Sequence, residues 1–219
     1  MQWIGAPARR VCWAALSLLC LCLMGCSAGR PSQGFVNPRL VNAYIPLFER
    51  RMLVAGRWGA AVALAPNVAV TNDHNLNFIP ADRLIARSRD YDLLFFRTDG
   101  LRRPPEFGNA AIGERVIAYG EGSGRDLREA SGMVSALNEF VAPRCEGCRD
   151  QRAIVYDADA GEGFSGGPVV DAATGAVIGI TFGFKEGDNA NGAGRRMYAY
   201  DIALVLDEMR RLIAPNEQR

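Results

Sequence analysis

From residue 54 onward the chain alternates short apolar runs with residues that favour turns. The runs read WGAAVALAP, VAVTN, DLLFFRT, RVIAYGE, SGMVSAL, AIVYDAD, GGPVVDAATGAVIGITFGF and RMYAYDI. Many short strands separated by Gly, Pro, Asn and Asp indicate an all-β sandwich or barrel. Within the longest run, DAATGA lies between two β-branched stretches and predicts a hairpin. The pattern therefore predicts a β domain over residues 54–219.

Three other segments depart from this strand pattern. The final stretch, DIALVLDEMRRLIA, has the apolar spacing of an amphipathic helix packed on the barrel. Residues 39–53, RLVNAYIPLFERRML, fit a short helix or an N-terminal arm. Residues 27–38, SAGRPSQGFVNP, are small and polar and predict a tether. We find no second domain and no internal repeat.

The first 25 residues have the layout of a signal peptide. Arg9 and Arg10 precede a 14-residue apolar run, which is too short to span a membrane comfortably. The run ends in LMGC, residues 23–26, which resembles the lipobox of bacterial lipoproteins. That resemblance implies cleavage before Cys26, a lipid on Cys26 and, because Ser27 follows, the outer membrane. The alternative is plain secretion, with Cys26 incidental.

Composition limits the partners that we expect. The chain has 219 residues, of which 49% are hydrophobic and 22% are charged, and without residues 1–25 it is long enough for one medium domain. It carries 25 basic and 24 acidic residues and no basic stripe, so we expect no nucleic-acid partner.

Two cysteines outside the signal region, Cys145 and Cys148, form the motif C-E-G-C. A zinc site needs about four ligands, and the chain has a single histidine. We therefore expect no metal, and nothing in the sequence calls for a cofactor. In an exported protein such a pair predicts a small disulfide loop. A redox role is the alternative, although the surrounding sequence does not resemble a thioredoxin-like unit.

The stretch GEGFSGGPVV, residues 161–170, places Ser165 among glycines. Glycines remove side-chain bulk and let successive backbone N–H groups converge on one small space. The stretch fits a plain surface turn before a strand. It also fits a nucleophile beside its own oxyanion hole.

Chain order separates the classes of serine hydrolase. The motif G-x-S-x-G also occurs in α/β-hydrolases, but there the histidine follows the serine, whereas His74 precedes Ser165. Subtilisin-like order needs an acid well upstream of the histidine. Between residues 27 and 72 the only acid is Glu49, and Asp73 is too close in sequence. The remaining order is His, Asp, Ser.

Local sequences agree with that order. NVAVTNDH resembles the T-x-x-H segment of trypsin-like proteases and ends at His74, while DYDLLFFRT places Asp92 before an apolar strand, as in the family's acid segment. GFSGGPVV resembles the nucleophile segment around Ser165, and EASGMVSAL resembles a segment of HtrA-like members. Over residues 54–206 the chain is identified as a member of the trypsin-like serine proteases, nearest the bacterial HtrA-like type without a PDZ module.

The resemblance implies a two-barrel, chymotrypsin-like, all-β fold with a C-terminal helix, and a serine endopeptidase that acts on envelope proteins or peptides. His74 would be the base, Asp92 its partner and Ser165 the nucleophile, with backbone N–H groups of Gly163 and Ser165 as the oxyanion hole. The alternative function is a catalytically silent protease fold that binds peptides or a partner.

Two details stay open. His74 and Asp92 are only 18 positions apart, so Asp90 and Asp99 are alternatives for the acid. The resemblance also places Asp159, six positions before the serine, at the base of the primary specificity pocket, with Thr181 and Gly183 beside it. A carboxylate there would favour Arg or Lys, whereas HtrA-like members often prefer small aliphatic side chains.

Overall fold

The computed structural model describes residues 28–49, 56–142, 148, 151–186 and 195–213. The predicted signal peptide, Cys26 and Cys145 lie outside these ranges. No helix in the described part of the chain is long and apolar enough to cross a membrane.

Short strands dominate the described residues, with two α-helices and two 3₁₀ helices between them. The strands are β1 (Arg30–Pro31), β2 (Tyr44–Glu49), β3 (Arg57–Ala65), β4 (Val68–Thr71), β5 (Leu84–Arg87), β6 (Leu94–Arg97), β7 (Arg115–Glu121), β8 (Leu127–Val141), β9 (Gln151–Ala158), β10 (Pro168–Asp171), β11 (Val177–Glu186) and β12 (Arg195–Asp201). The helices are α1 (Leu40–Ala43), α2 (Ile202–Ile213) and the 3₁₀ segments Asp73–Phe78 and Ala81–Arg83.

The strands form two antiparallel sheets. One has five strands in the order β2-β3-β4-β6-β5, and the other has seven in the order β1-β8-β7-β10-β11-β12-β9. Because β8 also pairs with β9, six strands of the second sheet close into a barrel, and β1 is added on its outside. This is the all-β architecture that the sequence predicts.

The apolar runs are long because their strands are buried on both faces. In β3, Ala60 and Val62 belong to the core cluster that also contains residues of the barrel, such as Tyr119 and Val155. Ala61, between them, faces a separate cluster within the five-stranded sheet. The two sheets therefore share one core.

The predicted C-terminal helix and hairpin are both present. Helix α2 buries Ile202 and Val205 in the main core and packs against β11, β12 and β5. The DAATGA turn joins the antiparallel strands β10 and β11. There the Asp171 carboxylate accepts a hydrogen bond from the Ala173 N–H at 2.8 Å, and the Thr174 hydroxyl donates to it. Such side-chain bonds are typical of Asx turns.

The segment predicted as a tether is already packed on the barrel at Ala28. Arg30 pairs with Glu129 of β8, and the Ser32 N–H donates to the Leu127 carbonyl at 2.9 Å. Farther along, the Phe35 ring contacts the rings of Tyr44 and Tyr119. The tether prediction is thus corrected for residues 28–38, because main-chain pairing and aromatic burial hold a segment whose composition resembles a linker. Beyond it, the described part of the predicted arm, residues 39–49, contains the short helix α1 and β2.

Candidate active site

His74 lies in the first turn of the 3₁₀ helix that follows β4. The apolar strand ends at Thr71, and the chain continues through Asn72 into the helix. Beside it, the Asp73 carboxylate accepts two hydrogen bonds of 2.6 Å from the Arg87 guanidinium, which fixes the start of the helix. The His74 side chain is 39% exposed and hence open to solvent.

Asp92 is 2% exposed and lies two positions before Leu94, the first residue of β6. Its Oδ2 is 2.7 Å from His74 Nδ1, and its Oδ1 accepts the His74 backbone N–H at 3.0 Å. The Asp92 N–H donates to the Tyr200 hydroxyl, and the Asn72 amide donates to the Asp92 carbonyl, both at 3.0 Å. Both carboxylate oxygens therefore contact His74, and hydrogen bonds also hold the main chain of Asp92.

The other two acids that the sequence left open lie elsewhere. Asp99 forms an ion pair with Arg83 at 2.6 Å, and Asp90 faces Arg211 at 3.4 Å. Of the three carboxylates, the structure brings Asp92 to the histidine.

The turn that carries Ser165 depends on glycine at two positions. Gly163 has a φ of +90° and Gly166 a φ of +80°, in the left-handed region. A Cβ on Gly163 would lie 2.0 Å from the Glu121 carbonyl oxygen, and one on Gly166 would lie 2.1 Å from that of Ala60. Only glycine fits this close approach of the turn to both sheets.

Hydrogen bonds fix the Ser165 main chain. Its carbonyl accepts the Ala60 N–H at 3.0 Å and the Asn75 side-chain amide at 3.1 Å. Asn75 is 3% exposed, and its amide also donates to the Thr71 hydroxyl at 2.9 Å. Sequence reasoning missed Asn75, because nothing in its neighbourhood marks it except its place one residue after the histidine.

Three consecutive N–H groups in this turn differ in their partners. The Phe164 N–H donates to the Gly161 carbonyl at 3.1 Å. Among the described residues, no acceptor receives the N–H of Gly163 or of Ser165. Two donors on either side of Phe164 are therefore available to a ligand.

His74 and Ser165 line one cleft of about 320 Å³. The complete lining is Gly56, Arg57, Trp58, His74, Asn75, Phe78, Glu162, Gly163 and Ser165. No hydrogen bond joins the His74 ring to the Ser165 hydroxyl within the described ranges. In free enzymes such bonds are often long and tighten only when substrate binds.

The residues predicted for the specificity pocket do not line this cleft. Asp159 is exposed just after β9. Thr181 is 1% exposed, and its hydroxyl shares a 2.8 Å hydrogen bond with the Tyr156 hydroxyl. Gly183 is buried within β11. None of the three positions lines the His74–Ser165 cleft. The Thr181 carbonyl nevertheless accepts the N–H of Gly166, the residue after the serine, at 2.8 Å.

Glu121 and Tyr44 form a buried polar pair behind the turn that carries Ser165, hereafter the serine turn. The sequence did not indicate this pair. The Glu121 N–H donates to the Gly163 carbonyl at 3.0 Å, and the Glu121 carboxyl, 4% exposed, accepts the Tyr44 hydroxyl at 2.8 Å. Burial raises the pKa of Glu121 to about 7, against a smaller lowering by the Tyr44 hydrogen bond. Burial likewise holds the pKa of Tyr44 well above its usual value.

The remaining sequence predictions concern cysteines and metals. Cys148 is disulfide-bonded, and its predicted partner Cys145 lies outside the described residues. In the part of the chain that the structure describes, no group of three His, Cys, Asp or Glu side chains is arranged to hold a metal ion.

Two sheets, one closed into a barrel, with a histidine, an aspartate and a serine at their junction define the chymotrypsin-like class of folds. Residues 54–180 match the family model of the trypsin-like peptidase domain. The chain therefore belongs to the trypsin-like peptidase family.

Known relatives agree with this membership. Protease Do-like 1, chloroplastic, from Arabidopsis thaliana is 27% identical over 134 residues, which cover 58% of this chain. The match spans only 30% of that relative's length.

Solved structures confirm the fold. The HtrA-type protease AlgW with tripeptide has a TM-score of 0.64 and 24% identity, covering 84% of this chain and 64% of that one. The Rv3671c protease from M. tuberculosis, active form, has a TM-score of 0.63 and 17% identity, covering 84% and 88%. These neighbours confirm the chymotrypsin-like fold and the predicted resemblance to HtrA-type proteases.

Proposed function

We propose that this chain is a serine endopeptidase with His74, Asp92 and Ser165 as its catalytic residues. The observation that carries the proposal is the 2.7 Å contact between His74 Nδ1 and buried Asp92, in a cleft that His74 shares with Ser165. Membership of the trypsin-like peptidase family supports the reaction class.

Each side chain has a role in the proposed reaction. Asp92 holds the Nδ1 side of the imidazole, so the other ring nitrogen is left to take the Ser165 hydroxyl proton. His74 then accepts that proton as the serine attacks the peptide carbonyl, and returns it to the leaving amine. Asp92 also stabilises the imidazolium that forms between these two steps.

The developing oxyanion needs donors that are already in place. The N–H groups of Gly163 and Ser165 have no other acceptor among the described residues. Asn75 and Ala60 hold the Ser165 carbonyl, so these donors need little reorganisation during reaction. Each such donor contributes about 3 kcal/mol to transition-state stabilisation.

The exposure of Asp159 affects which residue type we expect at the cleavage site. A carboxylate attracts an arginine or lysine side chain strongly only where both are removed from water. The exposed Asp159 does not meet that condition. We therefore favour small apolar residues at the cleavage site over basic ones.

The sequence supports a location and a class of substrate. We infer that Cys26 carries a lipid, that the domain is held at the outer membrane facing the periplasm, and that its substrates are envelope proteins or peptides. We also infer that the disulfide of Cys148 is made with Cys145. The AlgW structure was solved with a tripeptide, which supports peptides as the class of ligand.

The proposal is tested with a fluorophosphonate probe, which labels an activated serine, and with hydrolysis of denatured casein. Wild type is expected to label and to cleave. Ser165→Ala and His74→Ala lose both activities by several orders of magnitude, because the catalytic residues act as a unit. Ser135→Ala serves as the matched control, since its hydroxyl makes only long contacts of 3.4 and 3.5 Å on β8.

A second function, a silent peptide-binding module, is favoured by one observation, the missing hydrogen bond between His74 and the Ser165 hydroxyl. An unlabelled wild type that still binds peptides would support the module and overturn the enzyme. Labelling of wild type together with loss in Ser165→Ala would exclude the module.

A further inference from the structure

The back of the serine turn is covered by the segment that follows the predicted lipid site. Phe164, between Gly163 and Ser165, is fully buried. A Cβ on Gly120 of β7 would lie 2.7 Å from Phe164 Cγ, and a Cβ on Gly29 would lie 2.7 Å from Phe164 Cζ. The ring is thus wedged between the barrel and the N-terminal segment, with no room for one further methyl group.

The covering segment, Ala28–Pro31, is itself held in place. The Arg128 guanidinium donates to the Gly29 carbonyl at 2.6 Å and to the Ala28 carbonyl at 3.2 Å. The Arg128 side chain is 13% exposed, so these bonds are shielded from water. Strand β1 adds main-chain pairing with β8.

The covering segment touches the turn at a second point. A Cβ on Gly161 would lie 3.1 Å from the Ala28 Cβ. Gly161 also supplies the carbonyl that accepts the Phe164 N–H at 3.1 Å. Ala28 and Gly29 therefore lie against both ends of the bend that carries Gly163.

We propose that the covering segment is a positioning element of the active site, acting through Phe164; this rests on the proposed function. The two N–H donors belong to the residues on either side of Phe164. If the ring loses the contact with Gly29, the bend gains freedom and both donors move. A displacement of about 1 Å at such a site lowers the rate about a hundredfold.

The proposal specifies which kinetic constant changes. Phe164 does not line the His74–Ser165 cleft, so substrate contacts in the cleft stay in place. Loss of donors that act only in the transition state lowers kcat and leaves KM nearly unchanged. A general loss of folded protein would instead lower the number of active sites and the melting temperature.

The decisive variant is Gly29→Ala in the full chain. Gly29 has a φ of +67°, and its Cβ would also lie 2.7 Å from the Glu129 carbonyl oxygen, so the segment must move off the ring. Gly100→Ala is the matched control, because Gly100 has a φ of +81° with nothing within 4 Å of its Cβ. We expect Gly29→Ala to lower kcat and the rate of fluorophosphonate labelling tenfold to a hundredfold. Gly100→Ala should retain wild-type rates.

A second pair of variants guards against loss of folding. If Gly29→Ala melts below the assay temperature, Arg128→Met decides. Arg210→Met on α2 is its control, because the exposed ion pair of Arg210 with Asp207 contributes little. Arg128→Met is expected to lower kcat about tenfold at unchanged KM. The inference is overturned if Gly29→Ala folds and keeps the wild-type kcat. If Gly29→Ala does not fold, the inference is overturned when Arg128→Met keeps the wild-type kcat. An unreactive wild type, in contrast, overturns the proposed function itself.

Discussion

The side-chain amide of Asn75 joins the 3₁₀ helix that carries His74 to the turn that carries Ser165. Asn75 Nδ2 donates both to the Thr71 hydroxyl and to the Ser165 carbonyl. Through it, His74 and Ser165, between which we propose a proton transfer, are both tied to one small buried group. A substitution of Asn75 should therefore lower the catalytic rate, although Asn75 takes no part in the proposed chemical steps.

We expect Asn75→Ala to lower kcat about tenfold and to cost about 1–2 kcal/mol of unfolding free energy, because it leaves the Thr71 and Ser165 oxygens short of a donor. Kinetics on denatured casein and urea denaturation measure the two effects. Asn77→Ala, an exposed position on the same 3₁₀ helix, is the control. Equal rates for both variants would show that Asn75 does not position the serine.

At the scale of elements, Glu121 connects β2 with β7 and with the serine turn. Its side chain accepts the hydroxyl of Tyr44 in β2, and its main chain holds Gly163. The folded protein raises the pKa of this carboxyl from 4.5 to about 7. Between these pH values the folded state binds more protons than the unfolded state, so unfolding free energy falls as pH rises from 4.5 to 7 and stays lower above pH 7.

Glu121→Gln removes this charge and keeps an oxygen for the Tyr44 hydroxyl. We expect the variant to exceed wild type in unfolding free energy at pH 8 by up to about 3 kcal/mol, and to match it near pH 4.5. Urea denaturation of both proteins at the two pH values measures the difference. A constant difference at both pH values would mean that ionisation of Glu121 is not its cause.

Strands were predictable from sequence wherever both faces are buried. The strands β3, β4 and β7 are mostly apolar and mostly buried, and were identified from their apolar runs. Strand β5, LIAR, is only half-buried and gave no such signal. Strand β1 was also missed, because its pairing with β8 depends on residues about a hundred positions away.

Site residues divide in the same way. His74, Asp92 and Ser165, the proposed catalytic residues, lie in local motifs beside strands, and those motifs are why the sequence could point to them. Asn75 and Glu121 act through partners that only the folded chain brings near, so no local pattern marks them. The specificity positions Asp159, Thr181 and Gly183 stay a prediction, because their role depends on how a bound substrate lies in the site.

At the scale of the whole molecule, the proposed lipid on Cys26 determines where the enzyme works. Cys26→Ser should move the protein from the membrane to the soluble fraction, because no other residue is proposed to carry a lipid. Fractionation with antibody detection measures this, and Cys148→Ser, which affects only the disulfide, is the control. A variant that still pellets with membranes would exclude Cys26 as the anchor.

The packing of Ala28 on the barrel limits the distance between the barrel and the membrane in such an anchored enzyme. Two residues of fully extended chain reach at most about 7 Å, and only Ser27 separates Cys26 from Ala28. A lipid on Cys26 would thus hold the barrel against the bilayer surface instead of letting it range into the surrounding space. Its substrates would be chains that emerge from, or lie along, the same membrane, and their access would depend on height above the bilayer as much as on sequence.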